Sequence, residues 1–422
     1  MIHTDRRRFM SLASGAGLAL AAGVGGAARG APPAPAEGLA RMTTGVVPIS
    51  PAERQARIAK AQGLMKTKGM SAFLIESGSS LVYFTGVKWS RSERPTVAIL
   101  PVEGDPLIVT PHFEEPSVRE TLGVPAQVRV WQEDENAMEI AAGWLKEQKL
   151  ASGVVGVEET VREFIVDALS KALPNASVIN GAAINRGVRM IKTERELALM
   201  QLASDITIAA YRWTWPRIQK GMTRGEVATL MAQATAALGG DGEFNLILLG
   251  EAAAYPHGSG KPQIVREGEV VLMDCGCTVE GYQSDISRTF VFGEPTRRQR
   301  EVWDQVHRGQ EIAFAAARVG ADAGSVDDAV RAYYEKLGYG PRYKLPGLSH
   351  RTGHGIGLDG HEPVNLVHGE TTKLAPGMCF SDEPGIYIPG EFGVRLEDCF
   401  HMTEAGPKWF SVPPPSIDKP FG

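Results

Sequence analysis

A chain of 422 residues has room for two domains, and 43% apolar with 22% charged residues describes a globular protein with a sizeable core, not a disordered one. The net charge of −5 hides an asymmetry: the first 30 residues carry +3, from Arg6, Arg7, Arg8 and Arg29 against Asp5, which leaves −8 for the remainder. An acidic body with no basic run argues against nucleic acid as a partner, and the lack of a long charge-free apolar run after residue 35 argues against an integral membrane span.

The chain opens with DRRRFMSLASGAGLALAAGVGGAARGA, a basic start, a weakly apolar stretch and small residues at Ala27–Ala31. This reads as an export signal over residues 1–31. The order Arg6-Arg7-Arg8-Phe9-Met10 resembles the twin-arginine signal, so the protein is expected to be exported to the periplasm already folded. Residues 32–49, rich in Pro and Ala at their start, are expected to be a flexible leader.

An α/β domain is expected over residues 50–185. Ser50-Pro51-Ala52-Glu53 starts a helix with a capping box and a proline in its first turn. The runs SAFLIES, LVYFTGV, TVAILPVEGDPLIVT and AQVRVWQ read as strands, the third as a hairpin turning at Glu103–Pro106. NAMEIAAGWLKEQ and TVREFIVDALSKAL read as helices. Beyond a boundary near Asn185–Lys192, capping boxes at Thr193–Glu196, Thr223–Glu226 and Thr296–Gln299 open long helices. Antiparallel strands rich in glycine and proline follow, which predicts an α+β domain over residues 186–415.

The four cysteines are too few for a disulfide scaffold. Cys275-Gly-Cys277 has no second Cys pair at zinc-site spacing, so these residues are expected in the core. A Cys379–Cys399 bridge stays open.

Chemistry concentrates in the second domain. In VVLMDCGCTVEGYQSDISRTF, two apolar runs flank a turn at Val279–Gly281, and each carries one aspartate, Asp274 and Asp285. Folded as a hairpin, the two carboxylates are expected to face each other, which is destabilising unless a cation intervenes. CFSDEPGIYIPGEFGVRLEDCF repeats the device with Glu383 and Glu397 around a turn near Pro389–Gly393. Between them, HRTGHGIGLDGHEP supplies His350, His354 and His361, with Gly353, Gly355 and Gly357 around His354 permitting close backbone approach. Taken singly, the aspartates could be held by Arg288, and His354 could be a packed core residue. Together, in strands where unpaired charge is costly, four carboxylates and an imidazole predict a hard, oxygen-rich site for Mn²⁺, Co²⁺, Fe²⁺ or Zn²⁺. So many anions suit two ions bridged by carboxylates, the arrangement used for amide hydrolysis.

The order Asp274, Asp285, His354, Glu383, Glu397 resembles the pita-bread metallopeptidases, the family of methionine aminopeptidase, aminopeptidase P, prolidase and creatinase. SDISRTF, GHGIGLDGHEP, EPGIYIPGEFGVRLED and PHGSG are most similar to its Xaa-Pro peptidase branch. The resemblance covers about residues 50–410 and implies a pita-bread catalytic domain behind a creatinase-like α/β domain. It implies two divalent ions, Mn²⁺ foremost, with all five residues as ligands and Asp285 and Glu397 bridging. Glu383 would take the proton of the attacking water. His257 and His361 would be non-ligand histidines that contact the scissile group, and Arg395 and Tyr387 would support the site through hydrogen bonds. The implied substrate is a peptide with proline at its second position, and the implied assembly is a dimer or tetramer.

One departure stands out. Dipeptide-specific prolidases of this family carry an arginine, ahead of the residue matching Glu383, that grips the proline carboxylate. Val364–Phe380 contains none, with Lys373 and His368 as the possible substitutes. Aminopeptidase P-like cleavage of longer peptides is the resulting expectation. A metal-dependent C–N hydrolase of a small metabolite is the alternative, and a non-catalytic binding module is disfavoured by the intact ligand set.

Overall fold

The computed structural model describes residues 36–421, and the expected export signal lies outside them. Residues 36–49, expected as a flexible leader, instead lie against the second domain. Met42 N donates to Leu238 O over 2.7 Å, Trp213 Nε1 donates to Glu37 O, and Ile49 is buried in a core cluster that Leu39, Met42 and Val46 also touch. The apolar residues spaced along this stretch tie it down.

The first domain contains helix α1 (Pro51–Lys68) and a six-stranded sheet of β1 (Met70–Glu76), β2 (Val97–Pro101), β3 (Leu107–Pro111), β4 (Gln127–Trp131), β5 (Val154–Val157) and β6 (Ser177–Asn180), in the order β4-β3-β2-β1-β5-β6. Strands β1, β2 and β3 run antiparallel, and the outer pairings are parallel. Alternation along β1 feeds two cores. Ala72 and Leu74 join the side covered by α4 (Ala137–Glu147) and α5 (Glu163–Ala172), and Phe73 and Ile75 join the side of α1.

LVYFTGV forms helix α2 (Ser79–Thr85), not the expected strand. Its β-favouring residues are overridden by packing: Leu81, Phe84 and Thr85 are buried at helical spacing, Thr85 Oγ1 donates to Leu81 O, and Gly86 closes the turn at φ 84°. The four-residue strands β5 and β6 were too short to stand out in the sequence. Helix α3 (Glu115–Thr121) links β3 to β4, and α6 (Ala182–Arg189) leads into the second domain.

The second domain begins with α7 (Glu194–Thr214) and α8 (Arg224–Leu238), continues through β7 (Asp241–Leu249), β8 (Val270–Val279), β9 (Tyr282–Gln283) and β10 (Ile286–Val291), and crosses α9 (Arg297–Ala316) and α10 (Gly324–Lys336). It ends in β11 (Gly353–Gly355), β12 (Glu362–Leu366), β13 (Cys379–Asp382), β14 (Gly385–Ile388), β15 (Phe392–Arg395), β16 (Asp398–Thr403) and β17 (Gly406–Trp409). All four expected capping boxes close, at Ser50, Thr193, Thr223 and Thr296. On β8, Val271, Met273, Cys275 and Cys277 pack toward α7 and α8, and Val270 and Leu272 pack toward α9. Asp274 has the parity of the second set. Among the described residues, no helix is long and apolar enough to cross a membrane.

The two carboxylate hairpins differ from their expected registers in an informative way. The turn at Glu280–Gly281, both at positive φ, sets Val279 opposite Tyr282, so Asp274 stands opposite Ser287 and Asp285 is two residues out of register. A two-residue offset keeps Asp285 on the face of Asp274. Glu383 and Glu397 lie between the ladder β13–β16 and the ladder β14–β15, where regular pairing is interrupted. There Glu397 exchanges backbone hydrogen bonds with Ser287, and Glu383 N donates to Thr352 O.

All four cysteines are free and buried. Cys379 stands opposite His401 and Cys399 opposite Ser381, so the two are out of register for a bridge, and Cys399 Sγ donates to Asp285 O instead.

Candidate metal centre

Strand β11 carries His354 between two neighbours with no room for side chains beside it: a Cβ on Gly353 would fall 2.1 Å from Ser381 O, and one on Gly355 2.6 Å from Glu362 O. These two glycines let the strand fit between β12 and β13 and drive the imidazole into the carboxylates. His354 Nε2 lies 3.5 Å from Glu383, 3.7 Å from Asp285 and 4.0 Å from Glu397. His354, Glu383 and Glu397 form one set of mutually close donors and Asp274, Asp285 and Glu397 a second, so Glu397 belongs to both. A third set joins Asp285 and His354 to His361, whose ring meets that of His354 edge-on at 4.2 Å.

The electrostatics call for cations. Burial first, then Asp274 and Glu383, push Asp285 well above the usual carboxylate range. Burial, then Asp285 and Glu383, do the same to Glu397, and burial lifts Glu383 to about 7. Asp274 Oδ1 is buried without a hydrogen-bond partner. An orphaned carboxylate oxygen among crowded acids is what a hard dication satisfies. Burial, followed by the neighbouring His361, holds His354 well below its ordinary value, keeping the imidazole in the neutral form that ligates. The donor set fits divalent metal.

Arg395 braces this cluster. Its Nη2 donates to Asp274 at 2.6 Å and its Nε to Ser287 Oγ at 3.0 Å, and Ser287 Oγ donates to Glu397 Oε2 at 2.7 Å. Arg395 Nη1 reaches Tyr387 Oη and Pro256 O, and Tyr387 Oη lies 2.8 Å from His350 Nε2. Arg288 is engaged elsewhere, in a buried pair with Asp398, and holds neither aspartate of the first hairpin.

A cavity of about 300 Å³ opens onto the cluster, lined by His257, His361 and the five candidate ligands together with His350, Arg351 and Arg395. Tyr387 stands behind this wall, fully buried. His350, Arg351 and Ser287 had no assigned role in the sequence. His350 could have been found from its place four residues before His354, and Ser287 from its parity with Asp285. A larger cavity of about 580 Å³, between the two domains, shares His361 with the first.

Residues 198–404 match the model of metallopeptidase family M24, and residues 57–191 match the creatinase/prolidase N-terminal domain. The probable dipeptidase PepE of Mycobacterium tuberculosis is 32% identical over 355 residues, 83% of this chain and 92% of that protein. The chain belongs to metallopeptidase family M24. The Xaa-Pro dipeptidase of Lactobacillus delbrueckii subsp. lactis is 31% identical over 372 residues, 83% of this M24 chain and 95% of its own. The crystal structure of dipeptidase PepE from Mycobacterium ulcerans superposes with a TM-score of 0.80 at 30% identity, covering 87% of this chain and 98% of that one. The pita-bread M24 fold and its creatinase-like first domain are thus both present.

Proposed function

We propose that the chain is a dinuclear metal-dependent exopeptidase that hydrolyses the bond between a peptide's first residue and a proline in second position. The observation that carries this reading is the convergence of Asp285, Glu383 and Glu397 on His354, in a chain similar to an Xaa-Pro dipeptidase over most of its length. Asp274, Asp285, His354, Glu383 and Glu397 would hold the ions. Mn²⁺ is the proposed occupant, and Co²⁺, Zn²⁺ and Fe²⁺ suit the same donors. Bound there, divalent ions supply Lewis acidity toward the scissile carbonyl and lower the pKa of water.

The chain's own residues do the rest. Glu383 accepts a proton from the attacking water and returns it to the proline nitrogen as the C–N bond breaks. His257 and His361 face the cavity and donate hydrogen bonds to the oxygen on which charge develops. Arg395, through Asp274 and Ser287, fixes the carboxylates, and Tyr387 passes that rigidity on to His350.

The test is hydrolysis of Ala-Pro, Ala-Pro-Ala and Ala-Ala by chelated and Mn²⁺-reconstituted protein. Metal-dependent turnover confined to the proline substrates supports the reading, and turnover of no peptide by the metallated protein defeats it in favour of a small-metabolite hydrolase. We also propose export by the twin-arginine route, supported by Arg6-Arg7-Arg8-Phe9-Met10. Periplasmic recovery that survives Arg7→Lys with Arg8→Lys would reject it. Assembly as a dimer or tetramer is proposed from the family resemblance, and a monomeric mass in sedimentation equilibrium would reject that.

A further inference from the structure

Two arginines line the cavity over the metal centre, and only one has its guanidinium engaged. Arg395 is committed to Asp274, Ser287, Tyr387 and Pro256 O. Arg351 is partly buried, yet among the described residues its guanidinium makes no hydrogen bond and no ion pair; only its backbone carbonyl is used, accepting from His350 Nδ1. An unpartnered guanidinium on a residue that lines a cavity with four carboxylates is unusual, because a partly desolvated cation gains from any acid in reach. Once the carboxylates are occupied by metal, Arg351 becomes the one cavity cation with five free donors.

The two substitutes named from the sequence do not serve. Lys373 pairs with Asp322 at 2.6 Å and is 63% exposed, and His368 pairs with Asp328 at 2.6 Å. Neither lines the cavity. The arginines of the adjoining larger cavity are also committed: Arg186 to Glu159, Arg189 to Asp359 and Glu362, Arg91 to Ser77 O and Thr160.

We propose that Arg351 receives the free carboxylate of an Xaa-Pro dipeptide, and so makes this enzyme accept dipeptides despite the missing arginine in Val364–Phe380. The inference rests on the Xaa-Pro peptidase reading and replaces the expectation that longer peptides are preferred. A planar guanidinium meets a carboxylate through two parallel hydrogen bonds, and a carboxamide in the same place offers one acceptor and no charge. Arg351 therefore discriminates the end of a dipeptide from the neutral amide at which a longer peptide continues.

The experiment compares Ala-Pro with its C-terminal amide, Ala-Pro-NH₂, on Mn²⁺-loaded wild-type protein and on Arg351→Met and Arg351→Lys. Wild type is expected to favour Ala-Pro by about tenfold or more in kcat/KM, the size of a charge-assisted hydrogen bond. Arg351→Met is expected to remove that preference by raising KM for Ala-Pro about tenfold, with Ala-Pro-NH₂ changed less than about threefold. Arg351→Lys, which keeps the charge and loses the fork, is expected to fall between them, and it carries the test if Arg351→Met fails to fold. Metal content equal to wild type in each variant excludes a damaged centre. An unchanged Ala-Pro to Ala-Pro-NH₂ ratio in either variant, or an equal loss on both substrates, overturns the role of Arg351. Wild-type protein inactive on both substrates overturns the Xaa-Pro reading itself.

Discussion

Arg395 Nη2 lies 2.6 Å from Asp274 Oδ2, and the same guanidinium stands 3.9 Å from Glu397. One buried cation thus braces carboxylates from two different hairpins before any metal arrives. Arg395→Met is expected to destabilise the metal-free protein by about 3–5 kcal/mol, because the acids it leaves are uncompensated in the interior. Bound Mn²⁺ should recover part of that loss. Urea midpoints with chelator and with metal check this, and equal losses in both conditions would reject the bracing role.

His354 and His361 touch ring to ring yet face different surroundings: His354 is buried, and His361 reaches solvent. His354→Ala is expected to lower metal occupancy, and His361→Ala to keep about two ions per chain and lower kcat. Elemental analysis of the two variants decides. Comparable metal loss would make His361 a ligand, as its grouping with Asp285 and His354 allows.

The crowded carboxylates set a pH dependence for the metal-free protein. Asp285, Glu383 and Glu397 are raised, so their contribution is complete below the unfolded carboxylate range, about pH 4, and is lost as pH climbs through the folded values, about 7 for Glu383. His350 and His354, both lowered by burial, act the other way, but only below the ordinary histidine value of about 6.5. Between about pH 6.5 and about 7.5, below the range in which the four buried cysteines would ionise on unfolding, the raised carboxylates set the slope. Stability should fall there by roughly 1 kcal/mol per pH unit for each carboxylate protonated in the folded state and ionised in the unfolded chain. Urea unfolding across that window should show the fall with chelator present and a much shallower slope with Mn²⁺. A flat profile without metal would contradict it.

Arg189, the last residue of α6, joins the first domain to the catalytic one. It reaches Glu362 at 2.5 Å and Asp359 at 2.8 Å, and Lys192 takes the other oxygen of Glu362 at 2.8 Å. Against burial, which raises it, these cations hold Glu362 down at about 2. Since Glu362 follows His361, Arg189→Met is expected to cost about 3 kcal/mol of stability and to lower kcat with metal content unchanged. Wild-type kcat in a destabilised variant would confine Arg189 to a structural role.

The sequence revealed the centre more fully than the scaffold around it. Carboxylates on apolar strands and a histidine flanked by glycines are visible without coordinates, because burial of charge is rare and calls for compensation. The offset of Asp285 from Asp274 was not visible, since it depends on both residues of the Glu280–Gly281 turn adopting positive φ. Nor was helix α2, where tertiary packing of Leu81 and Phe84 outweighs the strand propensity of Val82 and Tyr83. Arg351 had no sequence signal at all. Its interest lies in what it does not touch, and that requires every neighbour to be placed.

Metal-dependent cleavage next to proline is read most directly from kcat/KM for Ala-Pro and Ala-Ala on protein stripped by chelator and then reloaded with Mn²⁺. No turnover is expected without metal, and reloaded protein is expected to hold about two ions per chain and to prefer Ala-Pro by at least about tenfold. Full metal loading with equal rates on the two substrates, or with no hydrolysis of either, would contradict it.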